Sequence, residues 1–184
     1  GLEQLLGPMH DMVGHSIVPF RVGGTVDMYY FLQAADGTAC ATMELIQPDG
    51  SGPVPNSRGT YELVAFTRAT YPADGDDVAT QQFHRVSNRL CNAFTTLARY
   101  ASGACLEPGE TCEVPMGDED TACLVFDDYG RLSIGERAHG LLLCIEVFRS
   151  EMEFARENGS PALLTRLREA GYYPYGDLDR SAVA

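Results

Sequence analysis

Residues 141–148 run Leu141, Leu142, Leu143, Cys144, Ile145, Glu146, Val147, Phe148, an apolar stretch broken only by Glu146. A run of that length and composition predicts a buried strand. It leads straight into a helix. Ser150 with Glu153 fits a capping box, in which the serine oxygen accepts one orphan amide and the glutamate reaches back to another. Glu151 and Glu153 also suit the positive end of a helix dipole. Asn158 and Gly159 end that helix. Ser160 then caps a second one with Pro161 at its first position, where a missing amide proton costs little. Leu163, Leu164 and Leu167 give it an apolar side, Gly171 stops it, and the chain leaves through Tyr172, Tyr173, Pro174 and Tyr175. This stretch contains no obvious nucleophile, metal cluster or phosphate loop, which points toward binding and away from catalysis.

The upstream chain reads as strands with one long helix. Leu2, Leu5, Leu6 and Met9 have helical spacing, but Pro8 keeps any helix there short or kinked. Gly23 and Gly24 mark a turn. Residues 26–32 read as a strand, Asp36-Gly37 as a turn, and 39–46 as the returning strand of a hairpin. Residues 48–59 hold three glycines and three prolines, so they form a loop long enough either to bind something or merely to cross over. Residues 60–68 read as a strand and 72–77 as an acidic turn. Phe83, Val86, Leu90, Phe94, Leu97, Ala98 and Ala101 then recur at spacings of three and four, the signature of an amphipathic helix, with Gly103 placed to end it. Residues 106–116 are turn-like, 122–126 a short buried strand, and 127–130 a further turn. Strands first, with helices interspersed and last, predict an α+β fold with a mixed, largely antiparallel sheet flanked by helices. At 184 residues the chain has length for one domain with a real core.

The formal charge is -13, every basic residue is an arginine, and tryptophan is absent. Such a field repels phosphate backbones, so nucleic-acid binding is not expected, and any partner it selects is basic. Acidity of this kind also serves solubility alone. The six cysteines (Cys40, Cys91, Cys105, Cys112, Cys123 and Cys144) include no C-x-x-C spacing, so zinc-ribbon and thioredoxin-type motifs are excluded. Most sit in apolar runs as small hydrophobes; Cys105 and Cys112 flank a Pro-Gly turn that can bring them together. With no apolar run long enough to cross a bilayer and no secretory signal, the expectation is a cytoplasmic protein with reduced thiols.

Catalytic signatures are weak. His10 and His15 lie five apart, whereas two ligands on one helix face need three or four, so a metal site is not expected. The Gly23-Gly24 and Gly50-Ser51-Gly52 stretches precede no GK[ST] sequence, and no serine elbow occurs. His84 and Cys91 are two helical turns apart, but Cys91 lies close to the apolar stripe, where a thiol stays inert. Glu44 and Glu62 sit in expected strands. Paired on one face they would perturb each other's ionisation and suit acid–base work. Pointing outward, or paired with Arg58 and Arg68, they would do none, and alternation favours that. Tyr172, Tyr173 and Tyr175 suit an interface and suit packing of a terminal segment equally.

Residues 58–66 (Arg58 to Phe66), the helix end at Leu97–Tyr100, and the strand leading into Glu151–Gly159 together resemble the suppressor of fused-like family. Residues 41–52 and 173–180 are similar, more narrowly, to a bacterial branch of it. The likeness spans about residues 25–180. It implies a mixed sheet with flanking helices and a protein-binding role. Animal members hold transcription factors, partly by adding a partner strand, and bacterial relatives are thought to be immunity proteins that neutralise toxins. The chain has Ala41, Thr42, Met43, Glu44, Leu45 where the family commonly has Thr-x-Gly-Met-Ser, and it carries no second domain like the one that helps animal members clamp a peptide.

The combined expectation is a single suppressor of fused-like domain over residues 1–184. It is a non-enzymatic protein-binding domain, with an immunity protein against a basic toxin as its sharper form. The alternative is a small hydrolase using Glu44, Glu62 and a histidine. The candidate partner-contacting residues are Arg58, Tyr61, Glu62, Tyr172, Tyr173, Tyr175, Asp177 and Asp179. No cofactor, metal, nucleic acid or membrane is expected; the partner is a protein, a basic one if charge selects it, and a homodimer through the tyrosine tail is a further option.

Overall fold

The computed structural model describes residues 1–72, 76–118, 120–134 and 136–184. Its helices are α1 (Glu3–Leu6), α2 (Asp77–Ala101), α3 (Arg149–Asn158) and α4 (Ser160–Glu169). Its strands are β1 (Val13–Gly14), β2 (Met28–Ala34), β3 (Gly37–Ala41), β4 (Tyr61–Thr67), β5 (Thr111–Pro115), β6 (Thr121–Ile134) and β7 (Arg137–Val147). The strands form one sheet in the order β1-β2-β3-β4-β7-β6-β5. Every neighbouring pair is antiparallel except β4 with β7. This is the expected α+β class with a mixed, largely antiparallel sheet.

Both faces of the sheet are covered, and period two sorts the side chains between them. Leu141, Leu143, Ile145 and Val147 of β7 join Val64 and Phe66 of β4 in a core completed by Met152 and Ala155 of α3 and by Leu163, Leu164 and Leu167 of α4. Leu142 and Cys144 face the other way, with Tyr61, Leu63 and Ala65, onto Phe83, Phe94, Leu97 and Ala98 of α2. Two apolar faces on one strand explain the unbroken apolar run of residues 141–148. They also explain why β4 is buried at all seven positions where only partial alternation was visible. The long helix starts where Asp76 accepts from the amides of Val78 at 2.9 Å and Ala79 at 3.3 Å, satisfying two orphan donors. Within the expected acidic turn, residues 73–75 lie outside the described residues.

The structure corrects several expectations. The hairpin strand expected over 39–46 ends at Ala41, because Thr42–Ile46 turn aside to wrap the Glu62 carboxylate. The expected turn at 127–130 lies inside β6, where the register with β7 shifts between Asp128 and Gly130. Its turn-like composition therefore marks an irregularity in the ladder. Residues 111–115, read as turn-like, form the edge strand β5. The capping box also moves. The helix begins at Arg149, and Glu151 is the residue that reaches back, its Oε2 accepting from the Phe148 amide at 2.9 Å. Ser150 Oγ donates to the Ala184 carbonyl.

Candidate functional site

The parallel pairing of β4 with β7 runs only from Tyr61–Val64 against Gly140–Leu143. Beyond it the C-terminal segment fits between the two strand ends. Gly176 N donates to the Phe66 carbonyl at 2.9 Å, and Tyr175 makes a parallel bridge with Phe66. Only a glycine fits next: a Cβ at 176 would stand 2.9 Å from the Glu146 amide nitrogen. Asp177 then fastens the segment, one carboxylate oxygen accepting from the Thr67 hydroxyl and the other from the Arg68 amide at 2.7 Å.

A second fastening lies at Arg180. Its guanidinium donates to both Glu151 oxygens, at 2.6 and 2.8 Å, with side chains only 4% and 0% exposed. Phe148 and Tyr172 rings flank it. Burial works against ionisation of Glu151, but Arg180 and the amides of Val183 and Phe148 outweigh it and hold the carboxyl below its ordinary range.

The tyrosines belong to this anchoring. Tyr175 is buried, its hydroxyl accepts from the Asp36 amide at 3.0 Å, and Arg68 covers its ring. Tyr173 is half-buried under Arg168 and donates to Asp127 at 3.1 Å. Tyr172 is half-buried against Arg180. Of the eight candidate contact residues, Tyr61, Glu62 and Tyr175 are therefore inside the protein, because the central strand and the inserted segment are covered on both sides. They present no surface in this conformation. Arg58 is paired with Asp128 at 2.8 Å. It precedes β4, whereas Asp177 meets the other end of that strand about 20 Å away. The structure thus brings Asp177 and Asp179 together and keeps Arg58 apart from them.

Asp177 and Asp179 line a trough between α2 and the C-terminal segment. One part, of about 240 Å³, is bounded by Val86, Leu90, Arg89 and Glu146 on one side and by Gly176–Asp179 on the other. A second part, of about 200 Å³, continues past Ala79 to Arg68 and Thr70. Gln82, Asp177 and Asp179 border both. Arg89 closes the inner end, held by Glu146 at 2.6 Å and Asp120 at 2.6 Å. No sequence signal links residues 79–90 to 176–179; only the insertion of the tail between β4 and β7 brings them face to face. A larger cavity of about 450 Å³ lies between the end of α2, β5 and the α3–α4 junction. Of its lining residues, Arg156 is engaged with Thr111 and with Glu113 beyond the cavity, and Ser160 with the Gly109 carbonyl.

The acid–base pairing of Glu44 and Glu62, the alternative reading, does not arise from two paired strands. Glu44 lies outside any strand and accepts from the Asp27 amide at 2.7 Å. Glu62 accepts from Thr42 Oγ1 at 2.6 Å and from the Ile46 and Leu45 amides at 2.9 and 3.4 Å. Burial pushes its carboxyl up to about 7 against those three bonds, and the Glu44 charge adds to the rise. Among the described residues no histidine hydrogen-bonds to either. His139 is buried against Thr60, His15 pairs with Asp27, and His10 accepts from the Met12 amide. No three His, Cys, Asp or Glu among the described residues are grouped so as to hold a metal ion. The six cysteines are free thiols, and burial pushes the Cys40 thiol up to about 12. No described helix is long and apolar enough to cross a membrane.

No protein-family model matches the chain, and no curated protein matches it. Among solved structures, a chain of the Sufu-Fu complex crystal structure is similar, at 16% sequence identity. The match covers 95% of this chain and 85% of that chain with a TM-score of 0.64. With the seven-stranded sheet and its two helical layers, that likeness shows a Sufu-like α+β fold.

Proposed function

We propose that the chain is a non-enzymatic protein-binding domain whose partner is a basic protein, and that in its sharper form it is a bacterial immunity protein that masks a basic toxin. The observation that carries the reading is the unspent charge. Among the described residues six arginines pair with six carboxylates. Each pairing removes one charge of either sign, so the excess of 13 negative charges stays on the chain. A field of that sign accelerates encounter with a cationic protein and repels a second copy of the same chain, which favours a different partner over a homodimer. The Sufu-like fold supports the reading, since the similar chain comes from a protein–protein complex with Fu. Free thiols suit a reducing compartment such as the cytoplasm.

The test is affinity capture from extracts of the native host, with the captured protein then purified and titrated against the chain. A basic partner whose toxicity in growing cells is abolished by co-expression of this chain is the expected result. Capture of acidic proteins alone, or unrelieved toxicity, would contradict the proposal.

A further inference from the structure

The trough between α2 and the C-terminal segment has the dimensions and chemistry of a peptide site. Ala79, Gln82, Val86 and Leu90 fall on one stripe of α2, so this wall is about 16 Å long at 1.5 Å per residue. An extended chain rising about 3.3 Å per residue would lay about five residues along it. The floor is apolar: Val86 and Leu90 are only half-buried by the rest of the protein, and Leu178 is 37% exposed. The rim is negative. Both oxygens of Asp177 are taken by neutral donors, which leaves its charge uncompensated. Asp179 borders both parts of the trough, is exposed, and has no hydrogen bond or ion pair among the described residues. Of the cations that line it, Arg89 is neutralised by Glu146 and Asp120, whereas Arg68 is held by the Gly171 carbonyl and the Tyr175 ring and keeps its charge, so Asp177 and Asp179 with the second carboxylate on Arg89 still leave the trough negative. Arginine and lysine combine an aliphatic stem with a charged head, which is the combination an apolar floor under a carboxylate rim accepts.

We propose that this trough holds an extended, positively charged segment of the protein partner, with aliphatic side chains on Leu178, Val86 and Leu90 and a cationic side chain at Asp179. The assignment rests on the protein-binding reading and specifies where and what it binds. Asp177 is a positioning residue that fastens the wall; Asp179 and Gln82 face the ligand. Gln82 lines both parts of the trough together with Asp179 and is itself uncharged, so a carboxylate at that position would add negative charge to the site.

The probe is an acetylated, amidated hexapeptide of alternating arginine and leucine, titrated into the isotope-labelled full chain and followed by amide NMR shifts. Its counterpart carries glutamate in place of arginine. Saturable shifts are expected at residues 79–90 and 176–179 with the arginine peptide and none with the glutamate peptide. Asp179→Lys, at an exposed site, should weaken binding by about tenfold, and Gln82→Glu should strengthen it by about threefold, as expected for charges across a partly solvated contact. Saturable shifts that map elsewhere, or affinities unmoved by both substitutions, would overturn the trough while leaving a basic partner standing. No saturable shift anywhere with the arginine peptide would overturn the trough and count against the basic partner as well.

Discussion

Glu62 and Glu151 are both buried carboxylates, and their surroundings push them in opposite directions. Glu62 has hydrogen-bond donors but no cation, and burial raises its carboxyl from 4.5 to about 7. A folded value above the unfolded one means that its stabilisation is complete below about pH 4.5 and is lost as pH rises through about 7. A shift of that size corresponds to about 3 kcal/mol. Glu151, paired with Arg180, is held low, so its contribution is present above the ordinary carboxylate range and fades as pH falls below it. The expected profile has its maximum near pH 5. Chemical denaturation of Glu62→Gln should show a flatter decline between pH 5 and 7.5 than the parent; an equally steep decline would remove Glu62 as the source. Arg180→Ala would strand a buried carboxylate, a change that costs about 3 to 5 kcal/mol. A loss under about 1 kcal/mol in urea unfolding would show that the C-terminal segment is not held by this pair.

At the level of elements, the inserted segment and the sheet depend on each other. Gly176→Ala would place a methyl group against the Glu146 backbone, and overpacking of this kind costs about 1 to 3 kcal/mol. Thermal melting should register the loss. Amide exchange should quicken at Phe66 and residues 175–177 before it quickens in the β6–β7 hairpin, and uniform quickening would contradict an independent wedge. Periodicity makes the helices legible, whereas their ends depend on which side chains reach the terminal amides. The stripe from Phe83 to Ala101 identified α2, while Asp76 set its true start. Ser150 has the composition of a cap, but Phe148 occupies that place, its amide donating to Glu151. The strands were legible where apolar runs were long. They were misjudged where polar residues serve the ladder: Asp127–Gly130 accommodates a register shift, and Thr42–Ile46 leaves β3 to satisfy Glu62. Local sequence does not encode either reason, since each depends on a strand distant in the chain.

For the whole molecule, the legible property was the charge, and the illegible one was where it acts. Asp177 and Asp179 could be named from the sequence, but the wall they face is about ninety residues upstream, and the tyrosines beside them turned out to be anchors. A net charge of -13 predicts a monomer at low salt, because two such surfaces repel within a Debye length of about 10 Å at 0.1 M. Sedimentation equilibrium across ionic strengths checks this, and a dimer that tightens at low salt would argue for an interface of another kind. The most direct test of the central claim is the dissociation constant of the captured partner, measured by calorimetry from about 0.05 to 0.5 M salt. An affinity that falls steadily as salt rises is the predicted result. An affinity that does not change across that range would contradict an interaction driven by the negative exterior.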